Sequence, residues 1–339
     1  MMLYIVIAFL WVSLLIYLIM GGADFGAGIL ELFSTGHNKS VVRKASYSAM
    51  GPIWEANHMW LIIAIVILFV GFPQIYSLVS VYLHIPLVIM LMGIIARGTA
   101  FTFRHYDAVK DNMQKLYNRI FVYSSFVTPL FLGIIAGSAI SRRIDTQATD
   151  FLSAYVFSWL NLFSVAVGLF TVALCGFLAA VFLSGEAKDT EGRQRYIRKA
   201  KQLNAGIAAC VLLVFAAAYL ENIPLVTWMF GNAISIIAVI ISVVSLVLLW
   251  LMLKKGNIKG SRFFTGMMVM ALLIAGTYSH YPNIILLKNG GHLSLIEQDT
   301  PIKTINSLAG ALLIGSLFIL PALFYLIYSF GKKNEEKSA

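Results

Sequence analysis

Long uninterrupted apolar runs dominate the 339-residue chain, in place of strict alternation or a one-sided helical stripe. About 20 apolar residues cross a bilayer as a helix. Nine stretches reach that length, over residues 3–33, 49–70, 76–100, 120–140, 157–183, 203–223, 232–253, 264–282 and 305–330. They predict an all-α polytopic membrane protein. The first run starts at Leu3 with no basic leader and no small-residue cleavage site, so it reads as a retained helix and not as a signal peptide.

Most connections are short, which makes sequential helices antiparallel neighbours in bundles. Four spans, a charged connection of about 20 residues, four more spans and a last one predict two four-helix bundles, 1–140 and 157–282, with an additional peripheral helix at 305–330. The whole chain, 1–339, reads as a single transmembrane domain with no soluble insertion and no clear internal repeat.

Composition agrees with the pattern: 60% of residues are hydrophobic and 12% charged. A soluble fold of this size could neither hide so much apolar surface nor solvate itself with so few charges. Two cysteines exclude a disulfide scaffold. The net charge of +10 is not a nucleic-acid footprint, because its placement alternates along the chain. Odd-numbered connections and the tail, with Arg97, hold 21 of the 25 lysines and arginines, and even-numbered ones hold only Arg142, Arg143, Lys288 and Lys303. Basic residues stay on the cytoplasmic side. The expected topology therefore has the N-terminus outside and the C-terminus in the cytoplasm.

Ionisable side chains inside spans are expensive and usually functional. Asp24 lies in Gly21-Gly22-Ala23-Asp24-Phe25-Gly26-Ala27-Gly28, whose small residues at four-residue spacing let a neighbouring helix approach closely. Glu55 belongs to Gly51-Pro52-Ile53-Trp54-Glu55-Ala56-Asn57-His58-Met59-Trp60. Pro52 suits a helix start, and Trp54 and Trp60 suit interfacial anchoring. From the helix rise, Asp24 lies about 14 Å and Glu55 about 9 Å from the cytoplasmic ends of adjacent helices. Two acids at similar depth beside Asn57 and His58 suit a proton wire drawing on the cytoplasm. Glu31 is nearer the helix end and reads as interfacial. Arg97 either snorkels to headgroups or pairs with a buried acid or a partner subunit, and Pro86 predicts a kink in the third span.

Haem would need axial His, Met or Cys ligands. His58 and His84 lie within spans and His280 near an outer end, with no small-residue cleft between them, so no cofactor is expected in this chain. Cys175 and Cys210 read as small hydrophobes. Metal-ligand spacings, nucleophile elbows and phosphate loops are missing from the sequence.

Three motifs, Gly22 to Gly28, Gly51 to Trp60 and Arg97-Gly98-Thr99-Ala100-Phe101-Thr102-Phe103-Arg104, follow one another in an order and spacing that resembles subunit II of the cytochrome bd-type quinol oxidases, including the cyanide-insensitive branch. The second motif is the most specific. The segment from Leu293 to Ile305 is loosely similar to the family's late loop. The resemblance implies a complex in the bacterial cytoplasmic membrane that oxidises quinol and reduces dioxygen to water. It implies that haem b and haem d sit in a separate subunit I, beside which subunit II packs as a pseudo-symmetric partner supporting cofactor assembly. In some members it implies a small single-helix subunit, a structural quinone or an oxygen route.

By the same resemblance Asp24 and Glu55 occupy the family's acidic positions, while Gly22, Gly26, Gly28, Gly51, Pro52, Trp54, Trp60, Arg97, Gly98 and Arg104 are its structural signature. Many relatives carry a further acid where this chain has Gly21, and aspartate where it has Glu55. The expectation is a non-haem subunit whose Asp24 and Glu55 relay protons, with Asn57 and His58 orienting water or adjacent carboxyls. Two other classes remain open at this stage: a secondary transporter, and a scaffold in which the acids only hold helices in register.

Overall fold

The first span is two helices, α1 (Met2–Ile16) and α2 (Gly22–Leu32), joined by the π-helical turn Tyr17–Gly21. The computed structural model describes residues 1–34, 42–43, 54–106, 112–187, 189–297 and 299–336, the side chains of 54, 55, 105, 106, 112, 324 and 326–336 excepted. Gly51 and Pro52 lie outside the described residues, as do the side chains of Trp54 and Glu55.

The second and third spans differ from expectation. Helix α3 (Trp54–Gly71) is followed by α4 (Pro73–Tyr82), bent from it by 113°. Residues 76–82 therefore belong to α4, and the third span proper is α5 (His84–Tyr106). The break falls at Leu83, three residues before Pro86, whose missing N–H cannot bond the Tyr82 carbonyl, so the interruption expected from Pro86 comes at the start of α5. Proline likewise opens α4 at Pro73. Among the described residues eight helices are long and apolar enough to cross a membrane, and nine when the bent pair counts as one.

After α6 (Asn112–Ile140), a short α7 (Phe151–Tyr155) precedes α8 (Leu162–Ser184). The fifth span thus starts at Leu162, five residues later than its hydropathy, because Asn161 caps the helix through the Ser164 N–H at 2.8 Å. Helix α9 (Thr190–Leu220) starts thirteen residues before the expected boundary. The charged connection is therefore mostly helix, supported by the Glu191–Arg195 pair one turn apart. A short α10 (Leu225–Phe230), α11 (Ala233–Lys255), α12 (Ile258–Thr277) and α13 (Ile302–Glu336) complete the helices. The late loop departs from an all-helical reading, since β1 (Asn283–Leu286) and β2 (His292–Ser294) form an antiparallel hairpin.

In lipid the packing of helix on helix, and not water exclusion, drives association, so small residues mark the contacts. Helix α2 is buried along its whole length between α6 and α8, which ties the first half of the chain to the second. A methyl group at Gly26 would run into the Cys175 carbonyl of α8, and one at Gly28 into the Ser125 hydroxyl of α6. Cys175 is buried in this contact, and both cysteines are free thiols. Lys199 of α9 donates to the Phe33 carbonyl at the C-terminus of α2 at 2.9 Å, and Arg262 to Phe182 at the end of α8 at 3.2 Å. Both are cations placed at negative helix ends.

Candidate functional site: a buried charge cluster between helices 2, 3, 5 and 6

Asp24 and Glu31 stand seven residues apart on α2, as do Arg97 and Arg104 on α5. Seven residues make two helical turns, so both acids present to one side and both bases face them. Asp24 is 1% exposed and Arg97 2%. Arg97 Nη1 donates to Asp24 Oδ2 at 2.6 Å and Nη2 to Oδ1 at 2.8 Å, a bidentate pair. Of the alternatives raised by the sequence, Arg97 takes the buried acid.

The guanidinium has further support. Nη2 also donates to the Asp24 backbone carbonyl at 2.9 Å, and Nε to the Ser125 hydroxyl at 2.9 Å. The rings of Phe25 and Phe121 lie 5.1 and 4.8 Å from its central carbon. Ser125 reaches this position because residue 28 is glycine. Sequence reasoning missed Ser125 and Phe121, since a serine and a phenylalanine in a membrane span carry no signal on their own.

Glu31 is not a headgroup-exposed side chain. It is fully buried, with Oε1 accepting from Arg43 at 2.8 Å and Oε2 from Arg104 at 3.1 Å. Arg104 also lies over Phe121, 4.5 Å from the ring centre. Gly98 follows Arg97 directly, and its carbonyl accepts from Thr102 one turn on.

The second signature motif meets the same cluster from α3. Asn57 is 1% exposed, and neither atom of its side-chain amide has a hydrogen-bond partner among the described residues. Trp60 is 5% exposed and packs with Tyr17 and Phe25, so it is a buried residue and not an interfacial anchor. The ring of His58 lies 6.1 Å from Tyr17 and 5.7 Å from Phe25, which in turn stacks on Arg97. Tyr17 covers Gly21: a methyl there would fall 2.9 Å from the phenol ring.

The described residues do not fit a haem. His58 is packed among Tyr17 and Phe25, His84 binds the Val81 carbonyl against Tyr155, and both nitrogens of His280 face backbone carbonyls. No group of three metal-ligating side chains occurs among the described residues.

Comparison with known proteins agrees with this architecture. The structure of bd oxidase from Geobacillus thermodenitrificans superposes with a TM-score of 0.79 at 20% identity, covering 97% of this chain and 98% of that one, and so shares the fold. The Bacillus subtilis cytochrome bd ubiquinol oxidase subunit 2 is 29% identical over 215 residues, 63% of this chain and 61% of that protein. The Escherichia coli cytochrome bd-I ubiquinol oxidase subunit 2 is 26% identical over 188 residues, 53% of this chain and 49% of the relative. The matched region thus spans about half to three fifths of those two relatives. A probable cytochrome oxidase subunit 2 of Haemophilus influenzae is 22% identical over 97% of this chain and 94% of its own. The family model for cytochrome bd terminal oxidase subunit II matches residues 2–330, and the chain belongs to that family.

Proposed function

We propose that the chain is the non-haem subunit II of a bacterial membrane quinol oxidase, which oxidises quinol and reduces dioxygen to water at haems b and d of subunit I. It sits in the cytoplasmic membrane with its N-terminus outside, and the basic end of the bundle faces the cytoplasm. Its own contribution is a cytoplasmic proton route through Asp24 and Glu55, with Asn57 and His58 beside them. The placement of Asp24 carries this reading. A carboxylate 1% exposed in a membrane span is more than packing requires.

The surroundings of Arg97 make proton exchange at Asp24 chemically reasonable. When the Asp24 carboxylate takes up a proton, the guanidinium keeps the Asp24 backbone carbonyl, the Ser125 hydroxyl and two aromatic faces. Glu55, near the start of α3, supplies the second exchanging group. In the assembled oxidase, Asp24→Asn and Glu55→Gln with all haems retained are expected to depress oxygen consumption strongly; near-normal turnover in both would sink the relay.

One observation favours a second reading. The identical 73-residue offset of Asp24–Arg97 and Glu31–Arg104 is what a register clamp between two helices would look like. If clamping is the whole role, Asp24→Asn lowers stability and haem retention together, and activity per retained haem is unchanged.

A further inference from the structure

Above Asp24, one face of the first span and one face of α3 turn polar atoms toward a packed interior without pairing them. Among the described residues, Tyr17 is 5% exposed with no hydrogen-bond partner for its hydroxyl, and Trp60 is 5% exposed with none for its indole N–H. Asn57, 1% exposed, leaves both its amide oxygen and its amide nitrogen unpaired. Ser13, fully buried, adds a fourth residue with an unpaired hydroxyl. Ser13 and Tyr17 are four residues apart on one helix, and Asn57 and Trp60 three apart on another, so each pair shares a face. Helices α1 and α3 pack on each other, and Tyr17 and Trp60 belong to one packed cluster with Phe25.

Buried polar groups in native proteins are almost always hydrogen-bonded. Leaving one orphaned costs roughly 1–3 kcal/mol, and water is scarce in the bilayer core. Five orphaned atoms on two facing helix stripes are therefore a site, not scattered accidents. Their chemistry selects the occupant. The Trp60 N–H and Asn57 Nδ2 only donate, Asn57 Oδ1 only accepts, and the Tyr17 and Ser13 hydroxyls do both. An anion would oppose the amide oxygen, and a cation would oppose the two N–H groups. Water complements all five. The π-turn that begins at Tyr17 is a local widening of the kind that recurs at functional sites.

We infer that bound water occupies the interface of α1 and α3 at the π-turn, walled by Tyr17, Asn57 and Trp60 and reaching Ser13. Through the Tyr17–His58 contact this site adjoins the Asp24 cluster, so it extends the proposed proton route toward the other half of the membrane and rests on that reading for its function.

The test is hydroxyl-radical footprinting of the intact oxidase by X-ray radiolysis, which oxidises aromatic side chains beside ordered water even when bulk solvent cannot reach them. Tyr17 and Trp60 should be labelled several-fold faster in the wild-type complex than in Asn57→Leu, which removes the amide. Trp159, whose N–H is bonded to the Tyr155 carbonyl at 2.8 Å, should be labelled equally in both. Labelling of Tyr17 and Trp60 that is negligible in the wild type, or unchanged by Asn57→Leu, overturns the inference. Thermal stability gives an independent readout. An apolar residue replacing a dry orphaned amide leaves the melting temperature unchanged or raised, and one replacing a hydrated amide lowers it. The inference and the reading it rests on separate cleanly. Wild-type labelling with full turnover in Tyr17→Phe upholds the water site while removing it from the route. No labelling with an inactive Asp24→Asn upholds the route and removes the site.

Discussion

Arg97 holds Asp24 through two parallel hydrogen bonds of 2.6 and 2.8 Å, and Arg104 repeats the pairing with Glu31 at the same 73-residue offset. The two ion pairs form rungs two turns apart along α2 and α5, so a slip of one helix against the other would break both at once. A buried pair adds little net stability over apolar groups of the same size, but its register is unforgiving: a single lost partner strands a charge in a low-dielectric interior.

That asymmetry predicts a double-mutant cycle. Arg97→Gln alone, which strands the Asp24 carboxylate, is expected to destabilise the assembled complex by about 3–5 kcal/mol, and Asp24→Asn by less, because the guanidinium keeps the Asp24 backbone carbonyl and the Ser125 hydroxyl. The double variant Asp24→Asn with Arg97→Gln should recover most of the loss, because two neutral amides can bond each other. Thermal unfolding of the purified complex in one detergent checks this. Strictly additive losses would mean that the pair is not coupled.

The second rung should behave differently. Glu31 accepts from Arg43 as well as from Arg104, so removing Arg104 leaves the carboxylate one charged partner. Arg104→Gln is therefore expected to cost less than Arg97→Gln, about 1–3 kcal/mol for a lost charged hydrogen bond. Glu31→Gln should be the worse change at this rung, since it leaves the buried Arg104 guanidinium without its carboxylate and releases Arg43 as well. Equal losses for Arg104→Gln and Glu31→Gln would show that Arg43 does not share the load.

Much of this was legible in the sequence, and the reason differs residue by residue. Asp24 stood out because carboxylates are so rare in spans that composition alone singles one out. The clamp itself was half visible: Arg97 was open to pairing with an acid, but nothing in a one-dimensional pattern says which acid lies 73 positions away. Glu31 was misread because distance from a helix end says nothing about a neighbouring chain segment, here Arg43, folding over it. The break at Leu83 was half visible: Pro86 called for an interruption in the third span, but nothing in the pattern set residues 76–82 apart as a helix of their own. Helix α9 outran its hydropathy because hydrophobicity reports the lipid boundary and not where backbone hydrogen bonding stops. Tyr17 and Ser125 carried no warning, since hydroxyl side chains are ordinary inside membrane helices.

Outside the spans, Asp145 and Lys288 tie the late hairpin to the connection after α6. The pair lies at 2.9 Å, and the Lys288 N–H donates to the Ile144 carbonyl at 3.0 Å. The Lys288 ammonium, and after it the Gln147 N–H, hold the Asp145 carboxyl below its ordinary value. A carboxyl depressed in the folded state stabilises that state above the unfolded value of about 4, and loses the contribution as pH falls through the depressed one. Hydrogen exchange at the Lys288 amide, corrected for its intrinsic rate, should therefore be slow at neutral pH and accelerate below about pH 4. Lys288→Met should exchange faster at neutral pH and lose most of the acid dependence. An unchanged acid limb in that variant would assign the effect to another group.

Gly26 offers the sharpest steric test. Its hydrogen faces the Cys175 carbonyl on α8, with the Ala179 methyl 2.7 Å from where a side chain would begin. The obstacle is backbone and cannot rotate away, so Gly26→Ala must push α2 off α8. The displaced helix carries Asp24 and Glu31 with it, and both rungs to α5 stretch. Overpacking a tight contact costs about 1–3 kcal/mol even where side chains can yield, and here none can. The expected outcome is loss of the assembled complex, read as co-purified haem per unit of this chain. Gly22→Ala makes the control, because the atom it meets is the end of the Leu178 side chain at 3.1 Å, which can turn aside. That variant should assemble with near-normal haem content, and equal damage from both would show that the backbone contact at Cys175 is not what holds α2 in place.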